Sequence, residues 1–166
     1  MNRSDDQFLN GQFAWFIGEV RDINDPLNMN RVKVCPYGYY KKDIETKNLP
    51  WSTVMMPNTS ASLQGNGANH HLEVNSWVVG FFRDGPSAQD AIIIGSIASK
   101  TKGTIDIPEE SSVDNKVYKS KAGHLVEIDN TDGAERIHIK HKSGSFILMD
   151  STGGITIKSN TKTTVI

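Results

Sequence analysis

The stretch Gly123–Asp129, with the sequence GHLVEID, recurs 21 residues later as Gly144–Asp150, with the sequence GSFILMD. A polar turn follows each copy, NTDG after the first and STGG after the second, and each turn leads into a short isoleucine-bearing segment. Strand–turn–strand units repeated in this way are typical of solenoids and stacked-strand architectures. The second half of the chain is therefore predicted to be a repeated β structure.

Alternation along these strands separates an apolar side from a polar side. In the second strand of each unit, isoleucines alternate with charged or polar residues, and in the first strand we expect the side that carries Glu127 to face water. The opposite side is then apolar. It carries eight residues, which are Val126, Ile128, Ile137, Ile139, Ile147, Met149, Ile155 and Ile157.

A sheet with a single apolar side is too thin to form a core by itself. Two or three strands are marginal in water without a covering layer, and their open edges favour pairing with another chain. Several copies wrapped about a common axis, with the apolar sides inward, would satisfy both needs. The pattern thus predicts self-association, with the eight apolar residues on the axis, and leaves the number of copies open.

The first half of the chain is also predicted to be all-β. Strand-like segments bounded by Pro, Gly and Asn turns occupy residues 13–22, 31–35, 49–57, 73–82 and 91–95. Five strands with long connections predict a small closed barrel of Greek-key type. We therefore expect a barrel over residues 1–97, of which 1–10 are polar and flexible, then a polar linker over 98–116 and the repeat segment over 117–166.

Composition narrows the classes of function. Hydrophobic residues make up 37% of the 166 residues, which is below the usual share and indicates that part of the chain is stabilised by more than its own interior. Lys and Arg number 18 against 19 for Asp and Glu, which argues against nucleic acid as the main ligand. The single cysteine, Cys35, excludes a disulfide framework and is expected to be buried in a strand. Neither a secretion signal nor an apolar run of about 18 residues is present, so we expect synthesis and retention in a cytoplasm.

The histidines and acidic pairs give no pattern typical of catalysis. His138 and His141 are three apart, so a strand points them to opposite faces, and His141 would join an axial ring of imidazoles only on the inward parity. The pair His70–His71 is expected on the surface of a polar loop. We predict no catalytic residue, no metal site and no cofactor.

The order of barrel, linker and repeat resembles the central spike, or baseplate hub spike, of contractile-tailed bacteriophages and the related valine-glycine-repeat spike of type VI secretion. The similar segments cover nearly the whole chain. They are Trp15–Val20, Asp25–Leu27, Asn30–Val34, Leu49–Trp51, Met56–Ala61, Val79–Phe82 and Ile93–Gly95, then Gly123–His124, Glu127–Asp129, Glu135–Ile137 and His141–Gly144.

The resemblance implies an all-β chain in which an N-terminal OB-fold barrel precedes a short intertwined trimeric β-helix or β-prism. It further implies a structural, non-enzymatic subunit of the virion tail baseplate, assembled in the host cytoplasm. Its partners would be two further copies, a trimeric hub protein at the end of the tail tube and the bacterial envelope that the spike penetrates.

Two departures from the family affect the expected activity and tip. Some relatives carry a lysozyme domain between barrel and needle, where this chain has only the segment 98–116. Some end in a His-x-His apex that binds iron, whereas this sequence ends with Thr163-Thr164-Val165-Ile166. We therefore expect Val165 and Ile166 to dock a separate cone-shaped tip protein.

The alternative interpretation is an OB-fold protein that binds single-stranded nucleic acid. Six aromatic residues of the barrel could stack on bases: Trp15, Phe16, Trp51, Trp77, Phe81 and Phe82. Positions in the core or at the hub interface explain them equally well.

Overall fold

The computed structural model of the chain describes residues 13–101 and 103–162. The segment 1–10, predicted to be flexible, and the predicted tip residues Val165 and Ile166 lie outside these residues. Two compact units, divided between Ala98 and Ser99, make up the chain. Apart from two short 3₁₀ turns, the regular structure of the described residues is β, which confirms the all-β prediction.

The first unit is a closed five-stranded barrel. Its strands are β1 (Ala14–Asp22), β2 (Val32–Pro36), β3 (Trp51–Val54), β4 (Trp77–Phe82) and β5 (Ala91–Ile97). They join in the order β1-β2-β3-β5-β4, with β4 returning to β1. The β3–β5 pair is parallel, and the other pairs are antiparallel. Closure leaves no free sheet edge, and the result is consistent with the predicted OB-type barrel.

The core of the barrel comes from alternate residues of its strands. On β1 the inward residues Phe16 and Val20 are at most 2% exposed, and Phe16 lies against Phe82 with ring centroids 4.7 Å apart. Cys35 is fully buried, as its place in an apolar run predicted. Besides Phe16, Val20 and Phe82, the buried hydrophobic cluster of the barrel contains Val32, Val34, Val78, Ala88, Ala91 and Ile93.

Two glycines allow the barrel backbone to pack closely. A Cβ on Gly80 of β4 would lie 2.5 Å from the carbonyl oxygen of Ile92 and 2.8 Å from Cζ of Phe16. A Cβ on Gly18 of β1 would lie 2.7 Å from Cγ1 of Val34. Both positions therefore require glycine because a side chain would not fit. Backbone conformation is not the reason, since neither glycine has a left-handed backbone.

The second unit contains a hairpin and an open five-stranded sheet. The hairpin strands are β6 (Lys100–Thr101) and β7 (Thr104–Ile105). The sheet strands are β8 (Asn115–Lys119), β9 (Leu125–Asp129), β10 (Arg136–Lys140), β11 (Phe146–Met149) and β12 (Ile155–Lys158), all antiparallel to their neighbours in chain order. The hairpin and the start of β8 thus lie within the segment 98–116.

None of the helical turns in the described part of the chain has the length and apolar character needed to cross a membrane.

Candidate functional site

The eight residues predicted for an oligomer axis lie on one face of the second unit's sheet. Strand pairing aligns them in two rows, which are Val126, Ile139, Ile147 and Ile157 in the first and Ile128, Ile137, Met149 and Ile155 in the second. Each is between 40% and 65% exposed within one chain. We call this set the apolar face. Neighbouring strands lie about 4.8 Å apart, so the side chains form one contiguous surface.

Polar or aromatic residues border the apolar face on two sides. Lys116 and Tyr118 of the edge strand β8 pair with Ile128 and Val126. Beside the first row, where β9 begins and β10 ends, the rings of His124 and His141 approach to 4.5 Å between centroids. The Nδ1 of His141 accepts a hydrogen bond from the backbone N–H of Ser143 at 3.2 Å, so in the neutral ring the proton is on Nε2.

The opposite face of the sheet carries a buried charged cluster centred on Glu127. The Glu127 side chain accepts hydrogen bonds from Asn115 Nδ2 and Arg136 Nη2, both at 2.6 Å, and lies 3.3 Å from His138 Nδ1. Arg136 also contacts Asp129 at 3.0 Å. Glu127 is only 3% exposed, so the expectation that it faces water is wrong. Asn115 Nδ2 also donates to the carbonyl of Glu110, so the chain before β8 is tied to this cluster.

Burial and ion pairing act in opposite directions on Glu127. Burial raises its pKa, but the hydrogen bonds from Arg136 and Asn115 outweigh burial and leave the pKa below its usual value. The hydrogen bond to the Glu127 carboxylate raises the pKa of Arg136. Glu127 and Arg136 therefore stay ionised at neutral pH, and the cluster binds β8, β9 and β10 together.

Each repeat has the same aspartate-anchored turn. Asp129 Oδ1 accepts hydrogen bonds from the backbone N–H and the hydroxyl of Thr131, and Asp150 Oδ1 accepts the same two from Thr152. These bonds from the threonine lower the pKa of both aspartates. The sequence repeat D-x-T therefore has a local structural cause, an Asx turn that joins two strands.

The remaining candidate groups are dispersed. Among residues 13–101 and 103–162, no three His, Cys, Asp or Glu side chains come together as a metal site. His70 and His71 are exposed, as predicted for a polar loop. His138 contacts Glu127 and the ring of Phe146, whereas His141 contacts His124, so the two histidines predicted to point apart have different neighbours.

The aromatic residues of the barrel are divided between its core and its outer surface. Phe16 and Phe82 are buried, whereas Trp15 and Trp77 are 57% and 42% exposed. The outward residues of β1 and β4 pair directly, Trp15 with Phe81 and Ile17 with Val79. Trp51 instead lies beneath the cations of Arg31 and Lys33, which are 5.6 and 5.2 Å from its ring centroid. The outward residues Trp15, Ile17, Trp77, Val79 and Phe81 form a surface that we call the outer aromatic face.

An aspartate braces the loop between β1 and β2. Asp25 accepts backbone hydrogen bonds from Leu27, Met29 and Arg31 and forms a two-pronged contact with the Arg31 guanidinium at 2.6 and 3.1 Å. The loop presents Leu27 and Met29, both more than 60% exposed. Sequence reasoning placed a turn between the strand-like segments 13–22 and 31–35 but did not identify this ion pair. The sequence signal for the ion pair is an Asp followed six residues later by an Arg across a turn.

Comparison with known proteins identifies a phage family. The sequence pattern of the family described as "Gp5 N-terminal OB domain" matches residues 38–165. The chain is 27% identical over 154 residues to the "Pre-baseplate central spike protein Gp5" of Enterobacteria phage T4. It is 23% identical over 230 aligned positions to "Protein Gp5" of Vibrio phage KVP40.

These alignments cover most of this chain but only part of each relative. They take in 87% and 81% of the chain, against 26% of the T4 protein and 54% of the KVP40 protein. The family match itself spans well over half of the chain and extends from the barrel into the second unit. The chain therefore belongs to the family of the Gp5 N-terminal OB domain.

Proposed function

We propose that this chain is a structural subunit of a phage baseplate spike, which assembles as a homotrimer and forms part of the device that penetrates the cell envelope. The observation that carries the proposal is the apolar face. Eight aliphatic side chains stand in two aligned rows, and each remains at least 40% exposed in a single chain. A surface of this kind on one side of a thin sheet indicates an interface.

A trimer covers the apolar face with copies of itself. Two further chains bring the same rows to a shared axis, where Ile139 and Ile147 are central. The ion cluster of Glu127 lies on the face of the sheet that points away from this axis. Covering aliphatic side chains stabilises by about 25 cal/mol for each Å² removed from water. The name of the T4 relative supports a spike at the baseplate, and a rod of paired strands has the stiffness that penetration requires.

The barrel is proposed to seat the spike on a trimeric hub protein. Its outer aromatic face offers Trp15 and Trp77, residue types enriched at protein interfaces. Tip docking through Val165 and Ile166, outside the described residues, remains part of the proposal. Deletion of residues 161–166 should abolish capture of a cone-shaped tip protein and leave the trimer intact.

We propose a structural and non-enzymatic role. The buried carboxylates of the second unit, Glu127 and Asp129, are held in structural contacts, with Glu127 between Asn115 and Arg136. His138 is oriented by the same carboxylate, and its ring lies edge-on against Phe146. The name of the T4 relative describes a spike protein.

Exposed Trp15 and Trp77 keep one alternative open, the binding of single-stranded nucleic acid by base stacking. A net charge of −1 opposes it, because phosphate binding depends on positive charge. A fluorescent oligonucleotide titration should show nothing tighter than the non-specific range of about 10⁻⁴–10⁻⁶ M at physiological salt. Nanomolar affinity would favour this alternative over the spike.

The direct test of the proposal is the mass of the native particle. Light scattering coupled to size exclusion should give three chains per particle at micromolar concentration. A stable monomer over this range would contradict the proposal, and a different number of copies would replace the trimer.

A further inference from the structure

The strands of the second unit's sheet turn at two opposite borders, which are distinct from the open outer strands β8 and β12. These two turn-bearing edges carry opposite charges. One edge contains the turns 120–124 and 141–145 and the segment that follows β12. Residues 119–125, 140–146 and 158–162 contain no Asp or Glu. We call this the basic edge, and its exposed lysines are Lys121, Lys140, Lys142, Lys158 and Lys162.

The other edge contains the turns 130–135 and 150–154. Its exposed acidic residues are Asp114, Asp132, Glu135 and Asp150, and we call it the acidic edge. Of the two cations there, Arg136 is already held by Glu127 and Asp129 at 2.6 and 3.0 Å, and Lys116 donates through Nζ to the carbonyl of Val113. The acidic edge therefore keeps a net negative charge.

A single chain cannot neutralise one edge with the other. Strands of five residues separate the edges by about 16 Å, whereas exposed charges are screened beyond about 8 Å at physiological salt. Within the part of the chain that the structure describes, Lys142, Lys158, Asp132 and Glu135 form no ion pair with one another or with other residues. A second copy of the chain is the partner whose charge pattern is complementary to both edges.

We propose that copies associate head to tail, with the basic edge of one sheet against the acidic edge of the next. This inference rests on the proposed function, and it specifies how the copies are oriented in the particle. A head-to-tail contact of unlike surfaces closes into a ring when the rotation is right, and three copies at 120° form a triangular prism with the apolar faces inward.

The dimensions of the sheet fit this arrangement. In a triangle with sides of about 16 Å, each side lies about 5 Å from the centre. That is half of the roughly 10 Å at which stacked sheets pack, so the apolar side chains would meet at the axis. Exposed ion pairs add little binding energy, so the edges act mainly on the orientation of the copies and the burial of the apolar face supplies the affinity.

Charge reversal tests the contact in both directions. One variant carries Lys142→Glu and Lys158→Glu, a second carries Asp132→Lys and Glu135→Lys, and a third combines all four changes. A control with Lys41→Glu and Lys42→Glu changes the net charge as the first variant does, but on the exposed surface of the barrel unit. Sedimentation equilibrium at low and high salt gives the dissociation constant of each particle.

We expect each two-site edge variant to weaken assembly by at least about tenfold at low salt, with a smaller loss at high salt. The four-site variant should return to within about threefold of the wild type, because both edges are reversed together. The barrel control should assemble as the wild type does. Circular dichroism will verify that every variant retains its β structure.

Two results would overturn the head-to-tail contact while the spike proposal stands. In the first, the wild type assembles but neither edge variant is weakened. In the second, the four-site variant assembles no better than the two-site ones. A wild type that stays monomeric would instead overturn the proposed function, and with it this inference.

Discussion

The barrel and the sheet of this chain bury their apolar residues in different ways. Of the hydrophobic residues buried in the described part of the chain, all but Leu125 lie in the barrel unit. The barrel closes on itself and has its own core, whereas the sheet has two open edges and presents its isoleucines to solvent. Alternation of apolar residues thus specifies a face in both regions, but only closure supplies a cover within one chain.

The comparison is tested most severely at the centre of the apolar face. Ile139→Asp should abolish the proposed trimer, because a carboxylate from each chain would enter a dry interface at a cost of several kcal/mol. Thr156→Asp, on the opposite face of the neighbouring part of the sheet, is the control and should assemble normally. Native mass measurement distinguishes them, and equal behaviour of the two variants would show that the apolar face is not the interface.

The barrel core should respond in a different way. Phe16→Ala removes a buried ring that packs on Phe82 and should cost about 3–5 kcal/mol of unfolding free energy. Since the barrel closes within one chain, that loss should be independent of protein concentration when barrel tryptophan fluorescence follows urea unfolding. A loss of unfolding free energy that increases on dilution would show that the barrel core is formed partly by contacts between chains.

A smaller effect is expected at the glycine beneath this ring. Gly80→Ala places a Cβ 2.5 Å from the Ile92 carbonyl oxygen and should destabilise the barrel by about 1–3 kcal/mol. Gly95→Ala on the neighbouring strand β5, where a Cβ meets nothing within 4 Å, is the control. Thermal unfolding of both variants measures the difference in stability. Equal stabilities would show that β4 and β5 can move apart at Gly80 without destabilising the barrel.

The smallest expected effect concerns acid and the loop between β1 and β2. The Arg31 guanidinium, with the backbone N–H groups of the loop, holds the pKa of Asp25 well below its usual value against the opposing effect of burial. The stability from this lowered pKa is present above about pH 4 and is lost as the pH falls further. Urea unfolding at pH 7 and pH 3 should therefore show a smaller acid-induced loss in Asp25→Asn than in the wild type. Identical losses would contradict a structural role for this ion pair.

Much of this architecture could be predicted from local sequence. The five barrel segments were identified by β-prone runs between turns, and the 21-residue offset placed eight apolar residues on one face. Glu127 could not be placed, because its burial depends on Asn115 in another strand and on the chain near Glu110. The aromatic residues were equally ambiguous, since alternation sends Phe16 inward and Trp15 outward and one sequence gives no sign of which side is the core.

The aspartate-anchored turn makes the sheet a structure that can grow by duplication. Because Asp129 and Asp150 close their turns with bonds to the threonine two residues later, the fold of a unit does not depend on how many units precede it. Each duplicated unit of two strands would lengthen the sheet by about 10 Å in the direction of its hydrogen bonds. Sheets of different length could thus evolve within such a lineage through copy number alone, while the barrel stays unchanged.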